Sequence, residues 1–74
     1  MTADEVKKRI EVGLPGAHVV VVDLTGTGDH FRAEISASQF QDKSMMEQHR
    51  MVYAILGKDV GGPIHALQLI TKSA

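Results

Sequence analysis

The chain lacks cysteine entirely, and this absence limits the chemistry that it can perform alone. Its 74 residues contain neither Cys nor Trp. No disulfide or thiolate metal site can therefore stabilise the domain. Any iron or zinc chemistry that requires sulfur ligands must obtain them from a partner.

A strong net charge is also lacking. Eight basic and nine acidic residues give a formal net charge of −1. This balance provides no global field that would attract nucleic acid or an anionic membrane. The valine run Val19–Val22 is far too short to span a bilayer, and the N-terminus lacks the apolar region of a signal peptide. We therefore expect a cytoplasmic protein.

The length of the chain leaves room for one small domain over residues 1–74. Hydrophobic residues make up 43% of the sequence, and no internal repeat, linker or low-complexity segment divides it. At this size a single core supplies only about 3–5 kcal/mol of stability. We expect one functional site, and a monomer or weak homodimer when the chain is alone.

The stretch Phe40–Leu56 carries the strongest local signals. Ser44 is a good N-cap, and Glu47 can bond back to it as a capping box, so a helix is predicted to start there and to end near Gly57. One face of this helix carries Met45, His49, Val52 and Leu56. We interpret the histidine on this apolar face as a hydrogen-bonded core residue, with a ligand role as the alternative.

A second capping pattern precedes this helix. Ser36–Gln39 predicts a short helical turn that ends near Phe40, with residues 41–43 as the link. The turn and the helix would form a helix-turn-helix-like pair, which is found both in nucleic-acid readers and in plain helix packing. In the nucleic-acid alternative, Lys43 and Arg50 are the DNA-binding residues.

The N-terminus predicts an amphipathic helix. Thr2 and Glu5 form another capping box, and apolar residues recur every four positions until Gly13 and Pro15 end the pattern. The basic cluster Lys7–Arg9 is interpreted as a solvated helix face, with phosphate contact as the alternative.

Three segments have the composition or alternation of strands. His18–Leu24 is rich in valine and is expected to be central, and His30–Ser36 and Ile64–Thr71 alternate apolar and polar residues. The glycine-rich loop 25–29 predicts an antiparallel hairpin, whereas the long connection to the third strand permits a parallel crossover. The predicted fold class is α+β, with a three-stranded mixed sheet and helices packed on one face.

Two of the four histidines lie where a ligand could reach them. His30 follows the flexible loop 25–29, and His65 lies just after the Gly-Gly-Pro sequence at residues 61–63, which interrupts regular secondary structure. If the mixed topology holds, the two side chains could approach one another at one end of the sheet. No nucleophile and base pair is convincing, since Ser44 is better used as a helix cap. The chain is not expected to be an enzyme.

Several motifs, taken in order, resemble the BolA family. They are Val21-Val22-Asp23 before the glycine-rich loop, Asp29-His30-Phe31, Ser36-x-x-x-Phe40, Lys43-Ser44, Gln48-His49-Arg50-Met51-Val52-Tyr53 and Ile64-His65-Ala66-Leu67. The resemblance runs through most of the chain. It implies a fold like the class II KH domain, in the order α-β-β-α-α-β. The Gly-x-x-Gly clamp of RNA-binding KH domains has no counterpart at residues 41–44.

The resemblance also implies a function. Proteins like this are partners of monothiol glutaredoxins, with which they share a bridging 2Fe–2S cluster, and some members are described as DNA-binding regulators. The histidine of the family's Ile-His-Ala-Leu strand is an iron ligand, which corresponds to His65. A second ligand usually comes from the loop between the first two strands, where His30 is the nearest candidate. The glutaredoxin cysteine and glutathione would supply the sulfur ligands. A small adaptor domain without metal is the third alternative.

Overall fold

The computed structural model describes all 74 residues and has two helices and three strands. They are α1 (Ala3–Gly13), β1 (His18–Asp23), β2 (His30–Ala37), α2 (Met45–Leu56) and β3 (Ala66–Ser73), with single 3₁₀ turns at Ser38–Phe40 and Gly57–Asp59. Neither helix has the length and apolar character that crossing a membrane requires. The predicted α+β class is confirmed.

Both helices begin at the capping boxes that the sequence predicts. Thr2 accepts a hydrogen bond from the backbone N–H of Glu5, and the Glu5 side chain accepts one from the N–H of Thr2. Ser44 and Glu47 make the same reciprocal pair at α2. Two orphan donors are thereby satisfied at each helix start. At the other end of α2, Gly57 adopts a φ of +60° that few other residues would tolerate.

The sheet has the order β1-β2-β3, so β2 is its central strand. β1 pairs antiparallel with β2, and β3 pairs parallel with β2, as the topology argument predicts. The expectation that the valine-rich first strand is central is wrong. Its alternate residues Val20 and Val22 remain 43% and 36% exposed, because no element covers that face of the sheet. Valine enrichment therefore reflects strand propensity here rather than burial on both faces.

The core lies between the other face of the sheet and the two helices. All twelve buried residues are apolar: Val6, Ile10, Leu14, Val19, Phe31, Ala33, Ile35, Ala37, Phe40, Val52, Leu56 and Ile64. No polar or charged residue is buried. The stability of the domain therefore depends on this single apolar layer.

The third strand begins later than its alternation predicts. Ile64 is fully buried and makes an isolated bridge to Val60, and the regular strand starts only at Ala66. His65 accordingly lies just before β3 instead of opening it. Ile64 is buried in the core and anchors the segment before β3, whereas the next residue, His65, is exposed at the surface.

A short helical turn ends at Phe40, as predicted, but the helix-turn-helix-like pair is not formed. Ser36 lies within β2, and the 3₁₀ turn Ser38–Phe40 follows Ala37, which makes no side-chain capping bond. A single 3₁₀ turn cannot act as the first helix of a helix-turn-helix motif. The strand extends through Ala37 because Ala37 is buried in the core and pairs with Ser73 of β3.

Arg9 joins the two helices. Its guanidinium donates to the backbone carbonyls of Ile55 and Leu56, at 3.3 and 3.0 Å, and to the carboxylate of Asp59. These carbonyls belong to the last turn of α2, where the helix dipole favours a positive charge. That turn contains no basic residue. One member of the basic cluster Lys7–Arg9 thus has a structural role.

Candidate functional site

The hairpin loop between β1 and β2 is organised by a carboxylate. The side chain of Asp23 accepts hydrogen bonds from the backbone N–H groups of Thr25, Gly26 and Gly28, at 3.3, 2.9 and 2.9 Å. These amides are the donors that a phosphate would need, and Asp23 already occupies them. The loop is therefore a rigid turn and not a phosphate-binding loop.

The backbone of Asp29 connects this loop to the start of β3. Its carbonyl oxygen accepts hydrogen bonds from the N–H groups of both His65 and Ala66, at 2.7 and 3.1 Å. His30 is paired with Ala66 in the parallel register, so residue 65 is brought beside the start of β2. The histidines that lie 35 positions apart in sequence meet at this end of the sheet.

The side chain of Asp29 contacts His30. Its Oδ1 lies 2.9 Å from Nδ1 of the imidazole and also accepts a hydrogen bond from the Thr27 hydroxyl. These bonds, that of Thr27 first and that of His30 second, lower the pKa of the Asp29 carboxyl to about 2. The group is therefore a carboxylate at neutral pH, and it can only accept hydrogen bonds.

The two histidine rings form a close pair. The ring centroids of His30 and His65 are 5.2 Å apart, with an angle of 58° between the ring planes. This confirms the prediction that the two side chains approach one another. Two imidazoles that bind one tetrahedral metal ion at 2.0–2.1 Å have centroids about 5 Å apart. The separation of the rings is compatible with both histidines binding the same metal ion.

The accessibility of the pair also suits ligand binding. The side chain of His30 is 36% exposed, and His65 is exposed. No third His, Cys, Asp or Glu is placed to complete a metal site with them. The chain therefore offers two imidazole donors, and a four-coordinate metal would need two further ligands from elsewhere.

The residues of the nucleic-acid alternative form a different surface. Lys43 lies in the link before α2 and Arg50 lies on α2, and both are exposed. Glu47 lies between them in the sequence, and its pKa is lowered chiefly by the bonds with Ser44 and to a smaller degree by the charges of Lys43 and Arg50. An acidic residue among the basic ones weakens any attraction for phosphate.

The neighbours of Arg50 are mostly apolar. It lines a shallow groove with Met45, Met46, His49 and Tyr53. Met45 is 66% exposed, so its predicted place on the buried face of α2 is wrong. His49 is only half-buried and makes no side-chain hydrogen bond, so its interpretation as a hydrogen-bonded core residue is also wrong. The buried residues of α2 are Val52 and Leu56, and the first of them lies about two turns after Met45.

Comparison with known proteins places the chain in a family. A family model described as BolA-like protein matches residues 13–74. The chain belongs to the BolA-like family. It is 30% identical over 73 residues to the uncharacterized protein RP812 of Rickettsia prowazekii, which covers 99% of this chain and 95% of that protein.

Two further relatives define the extent of this BolA-like domain. The human BolA-like protein 1 is 39% identical over 54 residues, which cover 73% of this chain and 37% of the human protein. The chain therefore spans well under half of that relative's length. The structure of a bolA protein homologue from Coxiella burnetii has a TM-score of 0.82 and 34% identity, covering 99% of this chain and 91% of that chain. The α+β fold of the BolA-like domain is thus shared with a solved structure.

Sequence reasoning missed the part that Asp29 takes in this histidine site. A carboxylate beside glycines is typical of turn chemistry, and that interpretation is right for Asp23. Asp29 bonds to a histidine ring instead, and the adjacency of Asp29 and His30 in the sequence was the available signal. A metal-binding histidine commonly donates its other ring N–H to a carboxylate of this kind.

Proposed function

We propose that this BolA-like domain is a non-enzymatic partner of a monothiol glutaredoxin, with which it shares a bridging 2Fe–2S cluster in cluster assembly, cluster transfer or iron sensing. His65 and His30 would be its two iron ligands. The observation that carries the proposal is the solvent-accessible histidine pair with its ring centroids 5.2 Å apart. Membership of the BolA-like family supports it.

The donor set of the chain agrees with this proposal. Iron sites with two histidines on one iron are known, and the other iron is then held by thiolates. This chain has no cysteine, so the cysteine of the glutaredoxin and that of glutathione would supply the sulfur ligands. A bound 2Fe–2S cluster supplies one-electron redox chemistry, whose potential depends on its ligands and hydrogen bonds. The role of this chain would be to present two imidazole nitrogens in a fixed geometry.

The test is to mix the protein with a cluster-loaded monothiol glutaredoxin and to record visible absorption and circular dichroism. The wild type should change both spectra, because imidazole and thiolate differ in charge and donor strength at iron. His65→Ala should abolish the change, and His30→Ala should abolish it or leave a more labile cluster. The matched control is His18→Ala, which should behave as the wild type. His18 is an exposed histidine of β1 that pairs with Ser36, at the end of β2 away from His30. A wild-type spectrum equal to the sum of its parts would overturn the proposal.

A further inference from the structure

We infer that Asp29 is the positioning residue of the histidine pair: its carboxylate fixes the Nδ1–H tautomer of His30, so that Nε2 is the metal donor, and its backbone carbonyl holds the segment that carries His65. The identity of the bound group rests on the proposed function. The state of the His30 ring does not, because it is a property of the free chain.

The tautomer follows from the hydrogen bond. A neutral imidazole has one N–H and one acceptor nitrogen, and the bond made by one nitrogen decides which proton is present. The Asp29 carboxylate can only accept, so Nδ1 of His30, at 2.9 Å, must be the donor. Nε2 then carries the free lone pair, and no protein group is bonded to it. This is the nitrogen that a metal can use.

The carboxylate itself is held in place by a second donor. The Thr27 hydroxyl donates to the same Oδ1 that receives His30, and the Thr25 hydroxyl lies 2.5 Å from that of Thr27. Asp23 fixes the loop that carries both threonines. An uninterrupted series of hydrogen bonds therefore connects the loop backbone to the His30 ring. In metal sites a hydrogen-bond acceptor of this kind orients the histidine ligand and raises its basicity.

The backbone half of this arrangement is independent of the side chain. The Asp29 carbonyl accepts from the N–H groups of His65 and Ala66, and any residue at position 29 would present the same carbonyl. Removing the carboxylate should therefore leave the strand pairing and the place of His65 intact. The Asp29 side chain is 42% exposed, so its removal leaves no cavity in the core. The positioning role can be tested without unfolding the protein.

The first experiment determines the tautomer of His30 in the free protein by long-range ¹H–¹⁵N NMR near pH 8, with the same spectrum distinguishing neutral from protonated rings. His30 of the wild type should be mainly in the Nδ1–H form. Asp29→Ala should shift it towards the Nε2–H form, and Asp29→Asn, whose amide oxygen can still accept, should lie between the two. Glu11→Gln removes an exposed carboxylate from α1 and should change nothing. A wild-type His30 in the Nε2–H form, or an unchanged tautomer in Asp29→Ala, would overturn the inference.

The second experiment adds Zn²⁺ to the free protein and follows the ring nitrogens of His30 and His65. Nε2 of His30 should be the nitrogen that shifts. Removing the hydrogen-bond acceptor of a histidine ligand lowers metal affinity about 10- to 100-fold. We expect this decrease in Zn²⁺ affinity for Asp29→Ala and not for Glu11→Gln. Unchanged backbone N–H signals at His65 and Ala66 would show that the fold is retained. Equal Zn²⁺ affinity in the wild type and in Asp29→Ala would overturn the positioning role.

The two proposals fail separately. If the tautomer and the Zn²⁺ affinity depend on Asp29 but the glutaredoxin mixture shows no new spectrum, the inference about Asp29 stands and the proposed function is wrong. If the mixture forms the expected cluster and Asp29→Ala leaves tautomer, Zn²⁺ affinity and spectrum unchanged, the proposed function stands and the inference is wrong.

Discussion

The histidine end of the sheet and the interior beneath the helices are built in opposite ways. The interior consists of twelve apolar residues and contains no buried polar or charged side chain. The histidine end is held by hydrogen bonds among partly exposed groups, centred on Asp23 and Asp29. Apolar burial carries most folding stability, whereas exposed polar contacts contribute little. Stability and the candidate site should therefore reside in different residues.

This separation suits a domain of 74 residues. Its core is small, so burying a histidine or a carboxylate within it would cost several kcal/mol. Under the proposed function, the two histidines have to remain accessible to a partner and yet hold a fixed geometry. Hydrogen bonds from a rigid loop supply that geometry without using the core. The predictions below test this division, from the largest expected loss of stability to the smallest.

The largest effect is expected within the core. Phe40 is fully buried, and Phe→Ala substitutions in cores cost about 3–5 kcal/mol. That is most of the stability expected for a domain of this size, so Phe40→Ala should be largely unfolded. Urea denaturation followed by circular dichroism measures it. Tyr53→Ala, which removes an aromatic ring that is 42% exposed, is the control and should remain folded. Equal losses in the two variants would contradict a core confined to one layer.

A smaller loss is expected where a polar contact supports the interior. Arg9→Ala removes the bonds to the last turn of α2 and to Asp59, at a cost of roughly 1–2 kcal/mol. Lys8→Ala, one position away and without such bonds, should change the free energy of unfolding by less than about 0.5 kcal/mol. Thermal unfolding of both variants provides the comparison. A Lys8 effect as large as that of Arg9 would show that the general charge of α1 matters and not this contact.

A pH-dependent contribution is expected at the start of α2. The bonds with Ser44 hold the pKa of Glu47 below its ordinary value of 4.5. The folded state thus favours the ionised form, so the contribution is complete above pH 4.5 and is lost as the pH falls through the lower pKa of the folded state. Glu47→Gln should flatten the dependence of stability on pH in this acidic range. Ser44→Ala should cost about 1 kcal/mol at neutral pH, as is usual for an N-cap. An unchanged acid profile in Glu47→Gln would contradict this account.

The two helices could be predicted from the sequence because their signals are local. A capping box depends on residues three positions apart, and both predicted boxes that open α-helices are present. The pattern at Ser36–Gln39 has the same residue types but lies at the end of a strand, where tertiary pairing decides the backbone. A local capping pattern therefore predicts a helix start only where no neighbouring strand forms hydrogen bonds with the same backbone.

The meeting of His30 and His65 could also be predicted, since it follows from the order of the strands. A hairpin followed by a parallel crossover places the starts of β2 and β3 at the same end of the sheet. The positions of Met45 and His49 could not. Helical spacing puts them on one face with Val52, but only packing decides how far along α2 that face is covered. The bond between Asp29 and His30 depends on side-chain orientations that alternation does not determine.

The smallest loss of stability should accompany the largest loss of function. His65 is exposed, its ring makes no hydrogen bond within the protein, and its backbone bond to the Asp29 carbonyl does not require an imidazole. Surface substitutions of this kind change stability by less than about 0.5 kcal/mol. His65→Ala should therefore unfold at the same urea concentration as the wild type and yet lose its effect on the glutaredoxin-bound cluster. Ile64→Ala is the inverse case, since it removes a fully buried neighbour at a cost of about 2–5 kcal/mol while retaining both histidines. The division between core and site would be wrong if His65→Ala were destabilised as much as Ile64→Ala, because the exposed imidazole would then be a structural part of the sheet end.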